Sequence, residues 1–188
     1  MGSAMPPPKA RKWEGPLTKT PAGLIRKTLY YGPWQCRQEW LDDCKSKCET
    51  QKLKSLGCIW IADIKTEIQN TVGIIPVEMG GRLAVTHCCC DYPPAPDLEK
   101  RRNEWNNARD RYRREWIEEY GGWPTDANGN NWPGHHVFDL KHGGAPTIPG
   151  GIIPVPLDTH SLINNAYLQC YAGTGRWNNP GPYWPYSE

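Results

Sequence analysis

The sequence lacks a charge excess, a long apolar run and the short motifs of several familiar zinc enzymes. Its formal charge of +2 is small, which argues against a large nucleic-acid interface held by counterion release and leaves room for a small one. No stretch approaches eighteen apolar residues, so nothing reads as a membrane span. The N-terminus has no apolar segment of the signal-peptide kind. H-E-x-x-H is absent, which excludes a zincin. H-x-E with P-C-x-x-C is absent too, which argues against a zinc deaminase. Paired C-x-x-C of the zinc-ribbon kind is also missing.

What is present is aromatic, cysteine-rich and punctuated. Hydrophobic residues are only 38% of the chain, but 10 Trp and 9 Tyr each bury a large area. With 19 Gly and 19 Pro, the composition stays below the level that marks disorder. A loop-rich α+β protein is expected, as one domain or two small modules sharing a core.

Met1 to Met5 reads as a vector remnant, and Pro6-Pro7-Pro8-Lys9-Ala10 as a linker cut from a longer polypeptide. Residues 1–22 as a whole read as tag and tail, being Pro- and Lys-rich without a hydrophobic period. From about Trp34 to Lys54 the pattern is helical, with Cys36, Trp40, Cys44 and Cys48 on one face. Cys58 to Ala62 fits a strand or a buried helical turn, and Arg82 to Thr86 a strand. A second helix is expected from Asp97 to Tyr120, ended by Gly121-Gly122, with Leu98, Trp105, Ala108, Tyr112 and Trp116 as its apolar stripe. Seven basic residues in that helix are balanced by seven acidic ones. A solvated face laced with i,i+4 pairs is therefore favoured over a DNA-binding stripe.

After Trp123 the charge falls and Gly, Pro, Asn and Trp rise. Val137 to Leu140 and Ile152 to Val155 bracket a Gly/Pro loop, as in a β-hairpin with Pro154 confining its second strand to an edge. A helix follows, with Asp158 as N-cap and Leu162, Ile163 and Tyr167 on its apolar side. The Trp/Tyr-rich stretch from Trp177 to Tyr186, with Trp123 and Trp132, is expected to pack over a small core rather than stack on bases.

Four of the five histidines fall between Gly134 and His160, and imidazole is both a common metal ligand and the usual general base. Adjacent residues of a strand face opposite ways, so His135 and His136 meet one ligand only at a strand end or bulge. His160 and Asn164 are four apart and share a helix face. A hairpin packed on that helix would gather all four.

Gly134-His135-His136-Val137-Phe138, followed by Ile153 to His160 and then Asn164, resembles the GHH branch of the HNH/endonuclease VII nucleases. These occur as C-terminal toxin domains of Rhs and other polymorphic toxins, including type VI secretion cargo. The match covers about the last 65 residues. It implies a ββα-metal core wrapped around one divalent cation. By resemblance His136 is the general base, His135 a metal ligand, and His160 a ligand or phosphate contact. Asn164 stands where many relatives place another histidine, which favours Mg²⁺ or Mn²⁺ and leaves Zn²⁺ possible; Asn165 is the alternative one residue on. Asp139, His142 and Asp158 are candidate second-layer groups, with N-capping the stronger role for Asp158. The implied partners are DNA, with RNA open, a cognate immunity protein and an upstream carrier polypeptide. The implied destination is the cytoplasm of a target cell. The chain then divides into a tail (1–22), a Cys-rich module (23–96), a linking helix (97–122) and an HNH-like core (123–188).

Cys36, Cys44, Cys48, Cys58 and Cys88-Cys89-Cys90 admit three readings: disulfides, a structural zinc site that also draws on His87, or reduced core thiols. A helix face carrying Cys36, Cys44 and Cys48 opposite a Cys triplet favours cross-linking. Cys170 is expected as a buried side chain, since no local signature supports a thiol nucleophile. The reading that competes with a nuclease is a disulfide-rich binding module in which the His pair is incidental.

Overall fold

The computed structural model of the chain describes residues 7–21, 23–69, 81–147, 151–173 and 175–188. The architecture is α+β with antiparallel sheets. Two short strands, β1 (Arg11–Glu14) and β2 (Thr18–Thr20), precede the long β3 (Gly23–Gln35) and pair with successive parts of it. The expected tail is thus part of a sheet over these strands. Its hydrophobic period is missing because β1 and β2 are largely exposed, and backbone hydrogen bonds to β3 hold them instead.

Helix α1 (Gln38–Thr50) follows, then β4 (Ser55–Gln69) and β5 (Gly81–Cys90), which complete a five-stranded sheet in the order β1-β3-β4-β5, with β2 also on β3. The first helix starts later than its spacing suggests, because Trp34 and Gln35 pair with Trp60 and Ile59 as the end of β3. Cys58 to Ala62 resolves as strand. All five residues are buried because both sheet faces are covered, which removes the polar alternation of a half-exposed strand. Ile59 and Ile61 pack in a core with Ile163, Ala166 and Trp177, whereas Cys58 and Trp60 pack with Leu41, Cys44 and Tyr186.

Period two also governs the cysteine triplet. Cys88 and Cys90 bond to Cys44 and Cys48 on α1, while Cys89, between them, bonds to Cys170 on the other face. Cys36–Cys58 completes four disulfides, and no cysteine is free. Cys170 is buried as expected, and its bond to Cys89 removes the thiol that nucleophilic catalysis would need.

Helix α2 (Leu98–Tyr120) buries Tyr112 and Trp116 and ends at Gly121, in the left-handed region at φ +93°. Beyond it, β6 (Gly134–His136) pairs with β7 (Ile152–Pro154), and α3 (Leu157–Tyr171) follows. The strand–loop–strand–helix order is the expected one, but the first strand lies earlier. After Val137, whose N–H still bonds to Gly151 O, the chain turns through a single 3₁₀ turn, Leu140–His142. Gly144 closes that turn where a Cβ would collide with the Phe138 carbonyl. Part of the loop, residues 148–150, lies outside the described residues. Helix α3 starts at Leu157 after Pro156, so Asp158 sits inside the first turn rather than capping it; its carboxylate pairs with Arg11 and favours the helix N-terminus. Trp177 and Tyr186 are buried and Trp123 nearly so, as expected of a covering tail. Among the described residues no helix is long and apolar enough to cross a membrane.

Candidate active site

Gly134 opens the site because nothing larger fits there: a Cβ would lie 2.8 Å from the Trp105 ring and 3.0 Å from Ile152 Cγ2. With the backbone pressed against α2, His135 is 3% exposed and pairs with Ile153, while His136 ends β6 beside the Trp105 ring, centroids 4.9 Å apart. Because the strand ends there, both histidines border one cleft of about 520 Å³. His160 and Asn164 from α3 border it as well. The His135 and His160 rings meet edge to face at 5.6 Å. Asn165 lines a different cleft, against Tyr31 and Trp34, so Asn164 is the residue the helix presents to the histidines.

Hydrogen bonding settles which nitrogen of each ring is available. The Tyr167 hydroxyl donates to Val137 O at 2.6 Å, so its oxygen accepts from His135 Nε2–H at 3.1 Å. His136 Nε2 lies 3.1 Å from Pro146 O, and a carbonyl only accepts. Both rings are therefore Nε2–H tautomers with a lone pair on Nδ1. Burial lowers the proton affinity of both, and for His136 the bond to Pro146 works the other way. His160 is likewise lowered by burial. At neutral pH the three imidazoles are uncharged, the state needed for a ligand or a base.

One donor set at this cleft could hold a divalent cation. It comprises His135 Nδ1, the His160 ring and the Asn164 amide oxygen, and neither His160 nor Asn164 has a side-chain hydrogen-bond partner among the described residues. No three His, Cys, Asp or Glu side chains converge among those residues. A cation there would keep open positions for water and substrate.

The remaining expected groups are arranged otherwise. Asp139 lines the cleft but, among the described residues, hydrogen-bonds to none of these three; its carboxylate accepts from His142 Nδ1–H at 2.5 Å and from the Tyr171 hydroxyl at 3.2 Å. Asp158 lies on the first turn of α3 with Arg11, outside the lining of the cleft. Two cations, Arg102 of α2 and Lys141, border the cleft and have no carboxylate partner among the described residues. The neutral sum over α2 conceals this: Arg101 pairs with Asp97 and with Gly143 and Gly144 carbonyls, which leaves its neighbour Arg102 at the rim.

Sequence reasoning missed Tyr167 and Tyr171 as site residues, and assigned His87 only to the cysteine module. Yet His160, Asn164, Tyr167 and Tyr171 recur at steps of four, three and four, one continuous face of α3. No protein-family model, curated protein or solved structure matches the chain.

Proposed function

We propose that the chain is a metal-dependent endonuclease of the HNH type, built on a ββα-metal core, with DNA as the favoured substrate. It would act as an antibacterial effector, exported with a carrier polypeptide, cutting in the cytoplasm of a competitor and neutralised in its producer by a cognate immunity protein. One observation carries the reading: a hairpin and a helix bring His135, His136, His160 and Asn164 to one cleft, with a lone pair left free on each of the two strand histidines. Arg102 and Lys141 at the rim support it, as they offer positive charge to a phosphate backbone.

A divalent cation held by His135, His160 and Asn164 would stabilise the charge that develops on the phosphate oxygens and the 3′ leaving oxygen. His136 Nδ1 takes the proton from the attacking water, and its bond to Pro146 O holds the ring in the required tautomer. The Trp105 ring packs edge to face against that ring, centroids 4.9 Å apart. Tyr167 holds His135 by accepting from its Nε2–H.

The test is cleavage of supercoiled plasmid and of an RNA substrate with Mg²⁺, Mn²⁺, Zn²⁺ or EDTA. His136→Ala should lower the rate by roughly 10²–10⁴-fold, the usual worth of a general base. Loss of cleavage in EDTA and in the variant supports the assignment. Folded protein that cuts neither polymer with any metal moves it to a disulfide-rich binding module.

A further inference from the structure

Hydrolysis of a phosphodiester moves two protons, one off the water and one onto the departing oxygen. His136 handles the first. The chain His87–Tyr171–Asp139–His142 ends at the same cleft with a nitrogen to spare. His142 Nδ1–H is spent on Asp139 Oδ2 at 2.5 Å, so Nε2 is its remaining nitrogen. The ring lies flat on Tyr171, centroids 3.8 Å apart and planes 14° from parallel. Asp139 is fixed in turn by the Tyr171 hydroxyl, whose oxygen lies 2.6 Å from His87 Nε2 in the buried part of β5. Because the Asp139 carboxylate only accepts, the Tyr171 proton goes to it and His87 Nε2–H donates to Tyr171. Every hydrogen-bonding atom of Asp139, Tyr171 and His87 that takes part in this chain is committed inward. Asp139, Tyr171 and His142 all line the cleft, and His142 is the one that brings an uncommitted ring nitrogen to it.

We propose that His142 is the general acid that protonates the 3′ leaving oxygen, with Asp139 and Tyr171 as positioning residues. The proposal rests on the nuclease reading above. In the step, the water oxygen bonds to phosphorus as the P–O3′ bond breaks. The water proton passes to His136 Nδ1. In the acid form of His142 the Nε2 proton passes to O3′ while Nδ1–H stays bonded to Asp139 Oδ2. The products are a 5′-phosphate and a 3′-hydroxyl. His142 is left as the neutral Nδ1–H tautomer still bonded to Asp139, and both histidines reset by proton exchange with solvent.

The experiment compares two oligonucleotide duplexes cleaved in Mn²⁺, one with ordinary linkages and one with a single 3′-S-phosphorothiolate at the cut site, whose thiolate leaves without a proton. His142→Ala and His142→Asn should slow the ordinary linkage by about 10²–10³-fold and the sulfur linkage by less than about fivefold. His136→Ala should slow both. Imidazole ¹⁵N NMR of the unmutated protein should show His142 protonated at Nδ1 in its neutral form, and Asp139→Asn should remove that preference. Equal losses on the two linkages, no loss on either, or a neutral His142 protonated at Nε2 would overturn the acid role while leaving the nuclease standing. Wild-type protein inert on both duplexes would overturn the nuclease reading and this role with it.

Discussion

From β3 to β5 the chain is fastened by three disulfides and apolar packing, whereas from Gly134 to Tyr171 apolar packing is joined by hydrogen bonds among histidines, tyrosines and carbonyl oxygens. The first region satisfies most of its interior with apolar contacts and covalent links, and Thr28, Asp63 and His87 are the polar residues buried among them. Asp63, its buried carboxylate, is matched by Arg82 at 3.0 Å and by the Tyr186 hydroxyl. The second region has strands of only three residues. It buries imidazoles that cost free energy unless paired, and each pairing commits one nitrogen and frees another. Stability and chemistry are therefore divided between the two regions, and variants should separate them.

The widest separation is expected between the His136→Ala variant and a Cys44→Ala/Cys88→Ala pair. The first should lose roughly 10²–10⁴-fold in cleavage with an unfolding midpoint close to that of the parent. The second should lose about 2–5 kcal/mol of stability and keep its rate per folded molecule. Denaturant titration beside single-turnover cleavage reads both, and a cysteine pair that abolished cleavage while folded would erase the distinction.

Cys89–Cys170 is the bond that joins the regions, across 81 residues of sequence. Replacing both by Ala should cost about 2–4 kcal/mol, and the loss should fall on α3. Amide exchange would show it as faster exchange along α3 than along α1. Equal protection of the two helices would mean that apolar packing alone holds α3 on the sheet.

Acid should first weaken the histidine cluster, which His87 of β5 joins through Tyr171. Burial pushes the His87 imidazole down to about 4 from an ordinary value of 6.5, so the unfolded chain takes up the proton at higher pH than the folded one. Stability should be full above about pH 6.5 and lost progressively as the pH falls toward 4, by roughly 3 kcal/mol for this residue. His135, His136 and His160 act in the same direction. Urea midpoints at pH 7 and 4.5 that coincide would show that His87 charges in the folded state.

A smaller loss of stability than that of either disulfide is expected of Tyr167→Phe. It removes the acceptor for His135 and the donor to Val137 O, at a cost of about 1–3 kcal/mol. Losing the group that orients a ligand should also weaken Mn²⁺ binding by about 10–100-fold, measured by calorimetric titration. Unchanged affinity would remove His135 from the ligand set.

Much of this was legible beforehand, for reasons of period. Cys44 and Cys48 share a helix face, and Cys88 to Cys90 had to alternate once they lay in a strand. The Tyr112 and Trp116 stripe of α2 obeyed helical spacing and is buried. Less was legible where partners are far apart in sequence. Nothing near Cys89 points to Cys170, and nothing near Tyr31 shows that its hydroxyl donates to Pro154 O at 2.6 Å. The strands in residues 11–20 left no pattern because exposed edge strands need none. The start of the hairpin was misread because Val137 to Leu140 looks β-prone, while the Asp139–His142 bond and the glycines after it favour a turn.

By itself the sequence determined which residues share a face, since periods of 3.6 and 2 are properties of the local backbone. That is enough to put His160, Asn164, Tyr167 and Tyr171 in one line and to set Cys89 apart from its neighbours. Only the tertiary structure decided which nitrogen of each histidine is free. That choice depends on a carbonyl at Pro146, a hydroxyl at Tyr167 and a carboxylate at Asp139, and a proton on an imidazole goes wherever the fold has put an acceptor.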